Sequence, residues 1–164
     1  MKLYTYVPKE SDVLKSGVLS VSKLPEELLK YGKRLGTNDS AKISEWLEKT
    51  FPGRRCAVSV LTEPVEWKGN DPMLKEWVEQ KKLVAIDFDE LLKKGLIASI
   101  WCKNGAKADG TDEKIFQITS NEIDFSPLPW HLCSKEKGLF FSVIRHYFLV
   151  MKGGVIPPKY IKEV

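Results

Sequence analysis

The spacing of apolar residues in the first half of the chain predicts strands at both ends and helices between them. Residues 3–7 (LYTYV) and 55–61 (RCAVSVL) are short, rich in β-branched or aromatic side chains and soon followed by proline, as expected of strands. Residues 24–36 and 40–51 repeat apolar side chains every three or four positions, which predicts amphipathic helices. A shorter helix is predicted over residues 11–17, which begin with serine and end with glycine.

The second half of the chain is predicted to contain most of the strands. Residues 72–82 (PMLKEWVEQKK) carry a proline at the first helical position and an apolar stripe, which predicts a helix. A short helix is also predicted over residues 89–95, and strands are predicted over residues 83–88, 96–102, 114–120 and 140–151. We therefore predict one α+β domain spanning residues 1–164, with helices mainly in the first half and mixed or antiparallel sheets in the second.

The net charge of +4 is concentrated near the C-terminus. Residues 1–124 contain 20 basic and 20 acidic residues, whereas residues 125–164 contain six basic and two acidic ones. Basic residues spread this widely are typical of a solvated basic surface. A surface that binds nucleic acid normally requires a tighter cluster of them. One functional hypothesis is thus a non-enzymatic interaction domain that docks a protein partner through this surface, using Lys135, Arg145 and Lys159.

The chain is expected to be a cytoplasmic protein that does not insert into a membrane. Its longest apolar run, residues 138–151, is interrupted by Arg145 and His146, and the N-terminus shows no secretory signal. The three cysteines lie in separate parts of the chain and do not suggest a disulfide framework. The lack of such a framework favours a reducing compartment.

Most common site motifs are absent from the sequence. No glycine-rich phosphate-binding pattern is present, and His131 with Cys133 is the only close pair of zinc-type ligands, so no metal is expected. Cys133 lacks the surroundings of a known thiol hydrolase. Trp67 and Trp130 lie in predicted loops and are candidates for stacking against a ligand.

Three segments resemble proteins of the ADP-ribosyltransferase fold. Residues 3–20 (LYTYVPKESDVLKSGVLS) are similar to the family's first strand and the short helix after it. Residues 146–164 (HYFLVMKGGVIPPKYIKEV) resemble its closing strand and the following Ile-Pro-x-x-Tyr-Ile turn, and residues 56–65 (CAVSVLTEPV) resemble its middle strand. Together these segments cover roughly a third of the chain.

The resemblance implies an NAD-binding cleft between two small sheets. An active member would transfer ADP-ribose from NAD to a protein or nucleic-acid target. The alternative is a domain that keeps this fold but has lost catalysis. Thr5 stands where the family usually has His or Arg, and Tyr147 or Phe148 stands where its catalytic Glu is common. Glu63, just after the middle strand, is therefore the candidate catalytic acid. The candidate NAD contacts are Thr5, Tyr6, Ser59 and Thr62.

Overall fold

A computed structural model describes residues 1–64, 79–104, 114–128, 130–135, 138–143 and 145–164 of the 164-residue chain. Four α-helices and eleven strands are found in these residues. In chain order they are β1 (Lys2–Pro8), α1 (Val13–Ser16), β2 (Val18–Leu19), α2 (Pro25–Leu35), α3 (Ser40–Thr50), β3 (Ala57–Val60), β4 (Lys81–Asp87), α4 (Phe88–Lys93), β5 (Ile97–Asn104), β6 (Lys114–Ile118), β7 (Trp130–Lys135), β8 (Gly138–Val143), β9 (Arg145–Met151), β10 (Val155–Ile156) and β11 (Ile161–Glu163).

The two longer helices begin and end where local chemistry predicts. Pro25 stands in the first turn of α2, and Gly36 ends it with a left-handed φ of 66° that most side chains disfavour. The Asp39 carboxylate caps α3 by accepting hydrogen bonds from the backbone N–H groups of Ala41 and Lys42. Both predicted helices are therefore confirmed.

Three predictions about the second half are corrected. Residues 81 and 82, predicted to end a helix, belong to β4, whereas residues 72–78 of that helix lie outside the described residues. The predicted strand over residues 140–151 is two strands, because β8 pairs with β7 while β9 pairs with β3 and β5. Trp130, predicted to lie in a loop, begins β7.

The strands form two main antiparallel sheets. The smaller sheet has the strand order β1-β4-β11, and the larger has the order β3-β9-β5-β6. Every strand pairing among the described residues is antiparallel. This arrangement confirms the α+β prediction with antiparallel sheets. In the described part of the chain, none of the helices is long and apolar enough to cross a membrane.

The two faces of the larger sheet pack against different parts of the molecule. Tyr147, Leu149 and Met151 of β9 point into the main core, which also contains residues of the smaller sheet. Phe148 and Val150 point to the opposite face and form a second, smaller core. Alternate residues of a strand point to opposite faces, so β9 serves both cores at once. We call these the inner and outer faces of the larger sheet.

Candidate functional site

The two sheets meet where β1 runs beside the end of β3. The backbone N–H of Tyr4 donates to the Leu61 carbonyl at 2.8 Å, and the Leu61 N–H donates to the Tyr4 carbonyl at 2.7 Å. The Thr5 hydroxyl donates to the Ser59 carbonyl at 2.8 Å. This hydrogen bond is a further link between β1 and β3. We call this region the β1–β3 junction; it brings the predicted N-terminal and middle-strand residues together.

The predicted NAD contacts differ in their access to solvent. Thr5 and Thr62 are buried, Tyr6 is half-buried, and Ser59 is exposed. The buried Thr62 hydroxyl has no hydrogen-bond partner among the described residues. An unsatisfied buried hydroxyl is destabilising, and such groups in native structures often have a functional reason.

Glu63, the predicted catalytic acid, holds a neighbouring segment in place. Its carboxylate Oε1 accepts a hydrogen bond from the backbone N–H of Leu128 at 2.8 Å. Leu128 is buried, whereas Glu63 itself is half-buried. Glu63 therefore positions Leu128 through a hydrogen bond that the sequence did not reveal. This bond uses only one of the two carboxylate oxygens of Glu63.

Residues 119–128, which we call the covering segment, are also attached to β9. The Tyr147 hydroxyl accepts a hydrogen bond from the Asp124 N–H at 2.9 Å. The Arg145 guanidinium donates to the Asp124 carboxylate at 2.5 Å and to the Ser126 carbonyl at 3.0 Å. Together with Glu63, these bonds fix the segment beside the β1–β3 junction.

The electrostatics of the covering segment follow from the same contacts. Hydrogen bonds from Ser126, together with the positive charge of Arg145, lower the pKa of the Asp124 carboxyl. Burial raises the pKa of the Tyr147 phenol, and burial likewise raises the pKa of the Cys102 thiol. Tyr147 and Cys102 are therefore neutral at physiological pH, and neither acts as a nucleophile or base in its resting state.

A second polar cluster lies on the outer face of the larger sheet. The Arg54 guanidinium lies over the Phe148 ring, 4.7 Å from its centroid, and donates to the Tyr31 hydroxyl at 3.2 Å. The His146 imidazole meets the edge of the same Phe148 ring, with centroids 4.9 Å apart. Lys103 of β5 stands directly opposite His146 of β9. We call Arg54, His146 and Lys103 the outer cationic cluster.

The pKa of His146 depends on its burial and on the charged groups around it. Burial is the main reason why the pKa of His146 is lowered to about 4. The positive charges of Lys103 and Arg54 lower this pKa further. Burial also lowers the pKa of Arg54, although a guanidinium remains charged at any physiological pH. His146 is therefore neutral beside two cations.

The members of this cluster are far apart in the chain, so no local pattern in the sequence predicts it. Arg54 follows the Pro52–Gly53 turn after α3, a position that is typical of an ordinary turn. In the sequence, His146 is visible only as a polar interruption of the apolar run over residues 138–151.

The predicted basic docking surface is only partly present. Arg145 is not a free surface cation, because its side chain is 12% exposed and paired with Asp124. Lys152, Lys159 and Lys162 are exposed. The side chain of Lys135 lies outside the described residues, as does Trp67.

Comparison with protein-family models, with curated proteins and with solved structures finds no match to this chain. Among the described residues, no group of three or more His, Cys, Asp or Glu side chains is placed to hold a metal ion. Cys56 and Cys102 are free thiols.

Proposed function

We propose that this chain is an ADP-ribosyltransferase-like domain that binds NAD at the β1–β3 junction. The observation that carries the proposal is the meeting of two small antiparallel sheets at the Tyr4–Leu61 bridge. This is the kind of arrangement that the family resemblance implies. Thr5, Ser59 and Thr62 lie within two residues of that bridge, and Glu63 follows directly.

The polar groups at the junction support binding of a ligand rich in hydroxyl groups. The unpaired Thr62 hydroxyl can donate to or accept from a ribose. Ser59 lies opposite Phe148 and therefore faces the outer side of the larger sheet. In the proposed complex, Thr62 gains the hydrogen-bond partner that it lacks among the described residues. The half-buried Tyr6 adds an aromatic surface beside the same site.

Glu63 supplies the charge that the proposed reaction requires. In ADP-ribosyl transfer the bond between the ribose C1′ and the nicotinamide nitrogen breaks, and nicotinamide leaves with the electron pair. A hydroxyl or amine of the target then bonds to C1′ and gives up its proton. A carboxylate near C1′ stabilises the oxocarbenium-like transition state and can take that proton. Oε1 of Glu63 holds Leu128, so Oε2 is the oxygen assigned to this role.

Glu63→Gln tests this role separately from the positioning contact. Glutamine keeps an oxygen that can accept the Leu128 N–H but removes the negative charge. We expect this variant to keep the wild-type melting temperature and to release nicotinamide from NAD at least about 100-fold more slowly. Glu63→Ala serves as the matched control, because it removes both the charge and the hydrogen bond. Wild-type turnover in Glu63→Gln would remove Glu63 from the mechanism.

A second candidate function is a non-enzymatic interaction domain. The exposed side chains of Lys152, Lys159 and Lys162 favour it, because they place positive charge together in the C-terminal part of the chain. Reversal of all three charges is expected to abolish capture of an acidic protein partner while leaving NAD binding unchanged. Partner capture that survives the charge reversal would contradict this second function.

A further inference from the structure

Three buried side-chain polar atoms lack a hydrogen-bond partner among the described residues. They are Oε1 of Glu48, Oγ1 of Thr62 and Nε of Arg145. The Glu48 atom belongs to a carboxylate that pairs with Arg55 at 3.5 Å, so its charge is compensated. The Thr62 hydroxyl and the Arg145 Nε–H remain without any acceptor or donor within the part of the chain that the structure describes. A buried polar atom left in this state is destabilising.

The strand register brings Thr62 and Arg145 to the same end of the larger sheet. Val60, the last residue of β3, pairs with Tyr147 of β9. Thr62 follows Val60 by two positions, and Arg145 precedes Tyr147 by two. When the antiparallel register is continued past the end of β3, Thr62 therefore comes opposite Arg145. Residues two apart on a strand point the same way, so Arg145 shares the inner face with Tyr147.

The contacts of the covering segment support the same placement. Glu63, the neighbour of Thr62, accepts the Leu128 N–H at 2.8 Å. Arg145 donates to the Ser126 carbonyl at 3.0 Å. Ser126 and Leu128 are two residues apart, so their Cα atoms are separated by at most about 7 Å. Thr62 and Arg145 are therefore both held next to one short stretch of the covering segment.

The charge balance of Arg145 favours an uncharged oxygen as the missing partner. Its guanidinium already pairs with the Asp124 carboxylate at 2.5 Å, and a second anion beside this pair would be repelled by Asp124. The Nε–H can only donate, whereas the Thr62 hydroxyl can donate or accept. One alcohol group satisfies both atoms, because its oxygen accepts from Nε while its O–H donates to Oγ1 of Thr62.

We infer that Arg145 and Thr62 together bind one ribose hydroxyl of NAD, which makes Arg145 a further specificity-determining residue of the site. This inference rests on the proposed function. It assigns a ribose hydroxyl, and not the negatively charged diphosphate, to the end of β3 and β9. It also gives Arg145 two roles through different nitrogen atoms: Nη1 and Nη2 hold the covering segment, and Nε binds the ligand.

Calorimetric titration of the purified protein with NAD tests the inference through two substitutions of Arg145. Arg145→Lys keeps a positive charge for Asp124 but has a methylene group where Nε was, and we expect it to weaken NAD binding about tenfold. Arg145→Gln loses the charge but keeps an N–H donor at the position of Nε. We expect it to bind NAD within about threefold of the wild-type affinity. Melting temperatures without NAD show whether each variant is folded.

Two further variants separate the bound oxygen from the hold on the covering segment. Asp124→Asn is the matched control, because it removes the charge partner of Arg145 but leaves Nε in place. We expect its affinity for NAD to stay within about twofold of wild type. Thr62→Val removes the other partner of the ribose hydroxyl, and we expect it to weaken binding about as much as Arg145→Lys. In the Arg145→Lys background it should add less than this factor, because both changes act on one hydroxyl.

The outcomes distinguish this inference from the proposed function. Wild-type affinity in Arg145→Lys would overturn the inference alone, because the Nε–H would then be bound to water and not to NAD. Weaker binding by Arg145→Gln than by Arg145→Lys, or tighter binding by Asp124→Asn, would also overturn it, because either result would indicate an anionic group of the ligand at Arg145. If the wild-type protein does not bind NAD at all, the proposed function is wrong and the inference is wrong with it.

Discussion

The two faces of the larger sheet are built from the same strands but differ in chemistry. On the inner face, Tyr147, Leu149 and Met151 of β9 are almost completely buried in a continuous apolar core. On the outer face, Phe148 and Val150 share their surroundings with a guanidinium and an imidazole. The ring of Phe51 stacks on Trp101 there, with centroids 4.8 Å apart.

This difference separates a face that stabilises the fold through apolar burial from a face that also holds partly buried polar groups. Apolar burial on the inner face contributes to stability without any requirement for partners. A partly buried guanidinium on the outer face is destabilising unless an anion compensates it. The comparison therefore predicts large stability losses from inner-face changes, and pH effects from outer-face changes.

The largest expected effect comes from truncation of Leu149 on the inner face. Leu149 is fully buried, so Leu149→Ala leaves a cavity and is expected to lower the free energy of unfolding by about 3 kcal/mol. Val150→Ala, at the next position but on the outer face, is the matched control and should lower it by about half as much. Urea unfolding measures both. Equal losses at the two positions would contradict the distinction between the faces.

The next effect is a pH dependence from His146. Its pKa is about 4 in the folded protein and about 6.5 in the unfolded chain, so the unfolded state binds more protons between these values. Stability is therefore complete above about pH 6.5 and falls as the pH drops towards 4, by on the order of 2 kcal/mol. His146→Gln should flatten this part of the curve measured by urea unfolding. An unchanged slope in the variant would exclude His146 as the source.

A smaller effect is expected at the contact between Glu63 and Leu128. Glu63→Ala leaves the Leu128 N–H without its acceptor and is expected to lower the free energy of unfolding by about 1 kcal/mol. Glu63→Gln should change it much less, since the amide oxygen still accepts this bond. The difference in melting temperature between the two variants measures the contact alone. Equal melting temperatures would show that Glu63 does not hold the covering segment.

The smallest expected effect concerns the Asp124 carboxyl, whose pKa is lowered by Ser126 and Arg145. A carboxyl with a lowered pKa in the folded state adds stability above its unfolded pKa and loses it as the pH falls through the folded value. Asp124→Asn should therefore weaken the acid-side loss of stability below about pH 4. Circular dichroism during acid titration measures this. A wild-type titration curve for the variant would contradict the stabilising role of the Asp124 contacts.

Local sequence signals predicted the helices well and the pairing of strands poorly. Pro25, Gly36 and Asp39 act within a few residues of their own positions, so α2 and α3 could be predicted directly. The division between β8 and β9 depends on which distant strands each one pairs with. A continuous apolar run shows no alternation when both faces of a strand are buried, as they are in β9.

The candidate sites were predictable only in part for the same reason. The sequence indicated Thr5, Ser59 and Glu63 through a family resemblance, and the fold brings these positions to one junction. The contact from Glu63 to Leu128 spans 65 residues, and Arg54 is far from His146 in the chain. No spacing rule connects residues so far apart, so the outer cationic cluster becomes visible only in the folded chain.

The most direct test of the proposed function is the melting temperature of the purified protein with and without millimolar NAD. A ligand at about 100 times its dissociation constant adds roughly 2.7 kcal/mol to the stability of the state that binds it. For a domain of this size, we expect a rise of roughly 5 to 10 °C. The rise should be smaller in Thr62→Val, because the hydroxyl that is buried and unpaired among the described residues would be absent. An unchanged melting temperature in the wild-type protein would contradict NAD binding at the β1–β3 junction.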